Sequence, residues 1–242
     1  MVIKKFLKFV IDFIFPPQCY VCKKILEGED GLCFECLSKI NFITKPRCEI
    51  CSFPFEFNLS NTNNHLICPK CLNKPPKFDK SISVVHYDEI SKKIILPFKH
   101  GDKTNFAKFI AKLMYMSGKD LINEADVIIP VPIHFLRMLK RKYNQTSFIS
   151  KIIGKKSKKQ VLYSTLIRKV ATKSQGHLSA KARKLNVLGA FKVKNPNKIK
   201  GKKIILIDDV FTSGATVNEC AKILKRNGAR KVFVLTFARV IK

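Results

Sequence analysis

From residue 78 onward, apolar runs with strand-like and helix-like spacing alternate along the chain. Runs rich in Val and Ile predict four strands, at Ser81–Tyr87, Asp126–Val131, Lys203–Ile207 and Lys231–Ala238. Helical spacing of apolar positions predicts helices at Ile90–Phe98, Thr104–Ile122 and Thr216–Asn227, and a helical stretch within His134–Gly154. Strands that alternate with helices are typical of a parallel sheet covered by helices, so we predict an α/β domain.

The first 77 residues lack this alternation. The segment Lys74-Pro75-Pro76-Lys77 predicts a joint that divides the chain into residues 1–77 and residues 78–242. The first residues predict a short amphipathic helix from the helical spacing of Phe6, Val10, Phe13 and Ile14. Their apolar run is too short to span a bilayer and no cleavage site follows it, so we expect a cytoplasmic protein. We expect the helix to pack on the protein; contact with the inner face of the membrane is the alternative.

Eight of the nine cysteines form four pairs with two residues inside each pair: Cys19 and Cys22, Cys33 and Cys36, Cys48 and Cys51, Cys68 and Cys71. In a reducing compartment this spacing favours metal over disulfides, and two such turns complete a tetrahedral four-sulfur zinc site. We therefore predict two closed, structural zinc sites that this region needs in order to fold. An interleaved pairing of the turns, or a single occupied site, also fits the spacing. We interpret His65 as a surface residue and Cys220 as a small buried residue.

The positive charge lies mostly in the second unit. The chain has 47 Lys and Arg against 17 Asp and Glu, a formal charge of +30. The 81 residues of Val127–Ile207 contain 21 Lys or Arg and no acidic residue. A codon bias would explain many lysines but not this absence, so the stretch predicts binding of nucleic acid or nucleotide phosphates. The first unit has 11 basic and 7 acidic residues, and two zinc ions held by eight thiolates would bring it near neutrality.

The acid-free stretch is followed by a motif with phosphate-binding chemistry, Ile204-Ile205-Leu206-Ile207-Asp208-Asp209-Val210-Phe211-Thr212-Ser213-Gly214-Ala215-Thr216. A four-residue apolar strand would place Asp208 and Asp209 at its carboxyl end, where ligands bind in open α/β sheets. These carboxylates can accept hydrogen bonds from paired sugar hydroxyls. Loop N–H groups and hydroxyls can surround a phosphate where the helix begins; the hydroxyls belong to Thr212, Ser213 and Thr216. Gly214 has no Cβ, so the phosphate can approach the backbone closely, and Ala215 is a further small residue of this loop.

This motif resembles the phosphoribosyl-diphosphate-binding signature of type I phosphoribosyltransferases. With the four cysteine pairs ahead of it, nearly the whole chain resembles the ComF family of competence-associated proteins. Two further segments carry the resemblance: Pro130-Val131-Pro132 with Arg137, Arg141 and Asn144-Gln145, and a later set of Arg168, Thr172, Gln175, Leu178, Ser179, Arg183 and Asn186 before Gly189-Ala190-Phe191. The chain departs from the family pattern at Lys142 and Tyr143, where glycine and phenylalanine are usual, and at Lys23 and Ser52, where glycine often follows a zinc pair.

The resemblance implies a site for phosphoribosyl diphosphate with magnesium. The turn after Val131 would hold pyrophosphate, and Arg168–Arg183 would be a mobile loop that closes over the site. Ribosyl transfer would use Asp208 and Asp209 beside the sugar, with Arg168 in the closing loop. Lys173, Arg137 and Arg141 are candidates for meeting the charge of the leaving diphosphate.

The sequence does not identify the acceptor of such a transfer. The family's association with natural transformation implies DNA-uptake proteins and single-stranded DNA as partners. A non-catalytic protein on the same scaffold, which binds single-stranded DNA or senses a nucleotide, is the alternative. The small number of aromatic residues in Val127–Ile207 argues against extensive base stacking.

Overall fold

A computed structural model describes residues 16–27, 31–56, 66–100, 105–134, 144–170 and 180–241. Its centre is a parallel sheet of five strands in the order β1–β7–β6–β2–β3. These strands are β1 (Lys80–His86), β2 (Val127–Pro130), β3 (Gln160–Val161), β6 (Lys203–Phe211) and β7 (Lys231–Arg239). Strands β4 (Leu166–Arg168) and β5 (Phe191–Val193) form a separate antiparallel pair. The predicted α/β class with a parallel sheet is confirmed.

Two short helices precede β1, and the other helices lie between the strands along the chain. The helices are α1 (Phe34–Ser38), α2 (Pro69–Asn73), α3 (Glu89–His100), α4 (Asn105–Ser117), α5 (Lys119–Glu124), α6 (Gln145–Ser157), α7 (Ala180–Val187) and α8 (Ala215–Arg226), with a 3₁₀ turn at Pro196–Lys198. Within the described ranges, none of these helices combines the length and the apolar character that a membrane span needs. The amphipathic helix predicted near the start of the chain, and His65, lie outside the described residues.

Alternate residues of the central strands supply two separate apolar cores, one on each face of the sheet. On β6, Ile205 and Ile207 face the core formed with α4, α5 and α6, whereas Ile204 and Leu206 face the core formed with α8 and the β4–β5 pair. All four side chains are fully buried. Strands covered on both faces are continuous apolar runs, which explains why these strands could be recognised in the sequence.

The cysteine-rich segment covers the outer edge of β1. The N–H of Ile43 donates to the carbonyl of Val84 (2.8 Å), and the N–H of His86 donates to the carbonyl of Asn41 (2.8 Å). Further along the same strand, Ser81 donates to the carbonyl of Ile50 (2.7 Å). The edge of the sheet is thereby hydrogen-bonded and protected from pairing with another chain. The predicted boundary at residue 77 stays a prediction.

Three predicted elements differ in detail. The helix predicted over Thr104–Ile122 is two helices, because the chain turns at Gly118, whose Cα lies so close to Leu235 that an added Cβ would approach its methyl groups to 2.7 Å. The stretch predicted over His134–Gly154 contains α6, which begins after Asn144; the Asn144 side chain accepts the N–H of Thr146 at 3.2 Å. Strand β6 continues four residues beyond Ile207, since Asp208 and Phe211 still pair with β7.

Candidate functional site

The eight paired cysteines form two clusters, and the pairing follows chain order. The first cluster contains Cys19, Cys22, Cys33 and Cys36, and the second contains Cys48, Cys51, Cys68 and Cys71. Within each cluster the sulfur atoms all lie within 4.8 Å of one another. The Sγ atoms of Cys22 and Cys33, and those of Cys51 and Cys68, are 3.6 Å apart. The interleaved pairing that the spacing left open is therefore not the one found.

Both clusters fit zinc. A tetrahedral site with Zn–S bonds of about 2.3 Å has sulfur atoms about 3.8 Å apart, close to the separations found here. One thiol in each cluster also favours the thiolate form that binds metal. Burial opposes ionisation of Cys19, but backbone N–H groups, that of Cys22 foremost, lower its pKa to about 6. A hydrogen bond from the Cys51 thiol, with the backbone N–H groups of Cys68 and Cys51, lowers the pKa of Cys48 to about 4 although burial opposes it.

The residues that stand where glycine is usual adopt the glycine conformation. Lys23 has φ of 67° and Ser52 has φ of 58°, both in the left-handed region. In each turn the N–H of this residue donates to the carbonyl of the first cysteine, Lys23 to Cys19 (3.0 Å) and Ser52 to Cys48 (2.8 Å). The knuckle geometry is thus preserved without glycine, and Ser52 gains a hydrogen bond from its Oγ to the carbonyl of Ser81 at 2.6 Å.

The ninth cysteine, Cys220, is a core residue of α8, as predicted. It is fully buried, and burial raises the pKa of its thiol well above the ordinary range. The negative charge of Asp208 also raises the pKa of this thiol, whereas the positive charge of Arg168 lowers it. A neutral, enclosed thiol cannot serve as a nucleophile.

The two aspartates lie at the carboxyl edge of the sheet beside the end of β2. The pairing of β2 with β6 joins Pro130 to Ile207, so the next residues along each strand, Val131 and Asp208, are neighbours. The N–H of Val131 donates to the carbonyl of Ile207 at 2.9 Å, and the Asp208 carboxylate accepts the N–H of Asp209 at 2.9 Å. Both aspartates are half-buried, so each leaves part of its surface exposed at this edge.

The turn after β6 leads directly into helix α8. Gly214 has φ of 76° and precedes the first helical residue; it has no side chain with which to cap the helix. An added Cβ at this position would lie 2.6 Å from Cζ of Phe211, so glycine is needed for both conformation and space. The Oγ of Ser213 is buried, and no group in the described part of the chain forms a hydrogen bond with it. The start of α8 therefore combines N–H donors with an unsatisfied hydroxyl, as an anion site requires.

The structure brings together most of the predicted ligand-binding residues that it describes. Asp208, Asp209, Thr212, Ser213, Gly214, Ala215, Thr216 and Val131 all lie at this edge. Arg168 ends β4 with its guanidinium over the ring of Phe191 at 5.3 Å. The predicted residues Arg137, Arg141 and Lys173 lie outside the described residues.

Arg239 was not among the residues predicted from the sequence; it ends β7 and pairs with Phe211 in the sheet register. Its side chain is only 4% exposed, and its guanidinium donates to the carbonyl of Cys51 at 2.6 Å. The only signal in the sequence is a lone arginine that directly follows a buried apolar strand.

Comparison with known proteins accounts for both parts of the chain. Residues 10–72 match the family model of the double zinc ribbon domain, and residues 102–241 match that of the phosphoribosyl transferase domain. The chain is 30% identical to the DNA utilization protein YhgH of Shigella flexneri over 93% of this chain and 98% of that protein. It is 29% identical to competence protein F of Haemophilus influenzae over 92% of this chain and 96% of that protein. It is also 26% identical to competence protein ComFC of Bacillus subtilis over 84% and 82% of the two chains.

These matches cover the cysteine clusters as well as the motif that ends β6. They agree with the two-part organisation that the sequence predicted, zinc ribbons first and the α/β domain second. The chain belongs to the ComF family, in which a double zinc ribbon precedes a phosphoribosyl transferase domain.

Proposed function

We propose that the carboxyl edge of β6 and the start of α8 bind phosphoribosyl diphosphate with magnesium. The observation that carries this proposal is the arrangement of Asp208 and Asp209 one turn before an uncapped helix start with a buried, unsatisfied Ser213 hydroxyl. The carboxylates accept hydrogen bonds from the two ribose hydroxyls. The N–H groups and hydroxyls of the turn hold the 5-phosphate of the same molecule, because a helix start favours an anion.

The reaction that suits such a site is ribosyl transfer. The bond between the anomeric carbon and diphosphate breaks, positive charge develops on the sugar, and an acceptor nucleophile takes the place of the diphosphate. Asp208 and Asp209 orient the ribose near the first charge, and Arg168 is the candidate for meeting negative charge on the ligand. Magnesium, when bound together with this ligand, would supply positive charge that offsets the charge of the diphosphate. The acceptor in such a reaction is a nucleobase or an amine. The alternative is a protein that binds the ligand in the same pocket and catalyses no transfer.

Titration calorimetry with phosphoribosyl diphosphate and magnesium tests the binding step. We expect the wild type to bind and the double variant Asp208→Asn/Asp209→Asn to lose most of that affinity. The matched control is Asp120→Asn, which makes the same chemical change on the exposed surface of α5. Failure of the wild type to bind would reject the proposal. Diphosphate release in a screen of nucleobases and amines then separates an enzyme from a binding protein.

A second proposal is binding of single-stranded DNA during DNA uptake in the cytoplasm, together with other DNA-uptake proteins. The names of the relatives refer to competence and to DNA utilization, and one exposed surface of this chain supports the proposal. The outer face of the β4–β5 pair carries three exposed lysines, Lys169, Lys192 and Lys194, with the half-exposed ring of Tyr163 nearby in the chain. Lysines that line one face can follow a phosphate backbone, and a tyrosine ring can stack on a base.

The salt dependence of DNA binding tests this surface. We expect the affinity for an oligothymidylate to fall steeply with salt, and Lys192→Gln/Lys194→Gln to reduce the slope of log K against log salt by about 1.4, or about 0.7 for each lost phosphate contact. The control is Lys108→Gln/Lys112→Gln on the exposed face of α4, which removes the same charge elsewhere. Equal slopes for the two double variants would show that the β4–β5 face is not the contact surface.

A further inference from the structure

The two zinc ribbons attach to opposite faces of the sheet. Only the second ribbon lies on the same side as the turn Thr212–Gly214, which precedes α8. The first ribbon packs against α4, where the ring of Tyr20 stacks on Phe106. The cysteines of the second cluster belong to the other core, together with Phe78, Phe211 and the inner residues of α8. Any influence of a zinc site on the turn Thr212–Gly214 must therefore come from the second cluster.

The side chain of Arg239 contacts both the second cluster and Phe211, the residue just before this turn. The guanidinium of Arg239 donates to the carbonyl of Cys51 at 2.6 Å and lies over the ring of Phe211, 4.4 Å from its centroid. The ring of Phe53 from the same ribbon lies 5.6 Å from the guanidinium. The end of the Phe211 ring fills the space that a side chain at Gly214 would occupy, 2.6 Å from an added Cβ. A continuous set of contacts thus joins a zinc ligand to the first residue before α8.

The segment that leaves the second ribbon reaches the same helix. The N–H of Lys77 donates to Oδ1 of Asn218, in the first turn of α8, at 2.6 Å. The next residue, Phe78, is buried and its ring meets that of Phe211 edge-on, with centroids 6.0 Å apart. Phe211 is therefore held between Arg239 and the ribbon's exit segment, and its position depends on both.

The positive charge of Arg239 explains why its position should depend on the metal in the second cluster. A buried guanidinium is costly unless an opposite charge lies near it. Four thiolates with one zinc ion would carry a net charge of −2, and the guanidinium of Arg239 donates to the carbonyl of Cys51, one of the four ligands. A loaded cluster would thus compensate the charge of the buried arginine and favour the position of its guanidinium over the Phe211 ring.

We propose that Arg239 is a positioning residue through which the second zinc ribbon holds the turn Thr212–Gly214 in its ligand-binding conformation. The effect on ligand affinity rests on the proposed binding of phosphoribosyl diphosphate, whereas the effect on the turn does not. Arg239 touches no ligand in this arrangement; it acts through Phe211.

The test is amide hydrogen exchange of the ligand-free protein, combined with zinc analysis and calorimetry. In Arg239→Met we expect two zinc ions per chain, amide exchange about tenfold faster over residues 212–218, and unchanged exchange in α4. Affinity for phosphoribosyl diphosphate with magnesium should fall about tenfold, within the usual range of coupling between sites. Arg239→Lys keeps the charge and one donor, so we expect it to restore part of both effects.

The control is Tyr20→Leu, which weakens the attachment of the first ribbon on the opposite face. It should leave exchange over residues 212–218 at the wild-type level. Equal acceleration in Tyr20→Leu and Arg239→Met, or wild-type exchange in a zinc-loaded Arg239→Met, overturns the proposal. If the wild type binds no phosphoribosyl diphosphate, the proposed function fails, but the exchange comparison still decides the role of Arg239.

Should Arg239→Met not fold, Arg239→Lys and Phe211→Leu replace it. Phe211→Leu removes the ring between the guanidinium and Gly214 while the hydrogen bond to Cys51 remains. Faster exchange confined to residues 212–218 in this variant supports the proposal, and unchanged exchange in both variants rejects it.

Discussion

The ring of Tyr20 stacks on the ring of Phe106, with centroids 3.9 Å apart and planes inclined by 21°. Tyr20 lies inside the first cysteine pair, and Phe106 lies in the first turn of α4. A second ring, that of Phe109, meets Tyr20 edge-on at 5.8 Å. The first zinc turn is therefore attached to the α/β domain by an aromatic cluster.

This attachment predicts a large loss of stability when the ring is removed. Tyr20 is 7% exposed, so Tyr20→Ala should lower the free energy of unfolding by about 3–5 kcal/mol. Tyr20→Phe keeps the stacked ring and should cost much less. The control is Phe34→Ala in the same ribbon, where the ring is 85% exposed and the change should stay within about 0.5 kcal/mol. Urea denaturation of the three zinc-loaded variants measures these differences; a similar loss for Phe34→Ala would contradict the assignment.

The two zinc sites should release metal at different rates. In the first cluster Cys22 is exposed and Cys33 is half-buried, whereas all four cysteines of the second cluster are buried. A chelator can reach the first site directly, but the second only after local opening of the structure. Release followed with a chromogenic chelator should show a fast and a slow phase of equal amplitude.

Variants identify the two phases. Cys22→Ser should remove the fast phase and Cys48→Ser the slow one, with one zinc ion left in each variant. A single phase in the wild type, or loss of the slow phase in Cys22→Ser, would argue against this order of release.

Replacing Lys23 by glycine should stabilise the protein. Lys23 is exposed and has φ of 67°, a conformation that costs a side-chain-bearing residue about 1–2 kcal/mol relative to glycine. Glycine loses more conformational entropy on folding than lysine, which offsets part of this gain. We therefore expect the free energy of unfolding to rise by about 0.5–1 kcal/mol. Lys39→Gly is the matched control: this lysine is also exposed in the ribbon but has φ of −84°, so glycine should destabilise. Thermal unfolding of both variants checks the opposite signs.

A methyl group at Gly214 should weaken both the fold and ligand binding. Gly214→Ala forces a positive φ on alanine and a contact of 2.6 Å with the Phe211 ring. Gly201→Ala provides the comparison, because its φ of 73° imposes the same strain and nothing lies within 4 Å of the added Cβ. We expect about 1–2 kcal/mol of destabilisation for Gly201→Ala and more for Gly214→Ala.

Calorimetry with phosphoribosyl diphosphate separates the two glycine variants further. Gly201→Ala should keep wild-type affinity, and Gly214→Ala should lose it. Wild-type affinity in Gly214→Ala would show that the start of α8 does not contact the ligand.

The sequence predicted the parts of the fold that long apolar runs determine. The central strands are covered on both faces, so their apolar runs stand out in the sequence. The strands that were missed, β3, β4 and β5, have only two or three residues and carry no comparable run. The extension of β6 through Asp208 and Asp209 was missed because the residues are polar, and only the pairing with β7 makes them part of the strand.

The candidate site was predictable where the chain itself brings residues together. Asp208 and Gly214 lie within one short segment, and each cysteine pair is local. Arg239 and Phe211 could not be predicted, because their contact and the bond to Cys51 depend on the packing of segments 188 residues apart. The choice between sequential and interleaved cysteine pairing also required the tertiary structure.

The position of β7 in the sheet has a consequence for how the protein is made. Strand β1 pairs with β7, and the hydroxyls of Ser83 and Thr236 that meet across this pair are 153 residues apart in the chain. During synthesis β1 leaves the ribosome long before its partner exists, whereas every cysteine of both clusters has already emerged. The ribbons can therefore take up zinc first and cover the outer edge of β1 before β7 is available to pair with its inner edge. Without zinc, a nascent chain would expose both edges of this apolar strand for most of its translation. Unpaired strand edges of this kind favour aggregation.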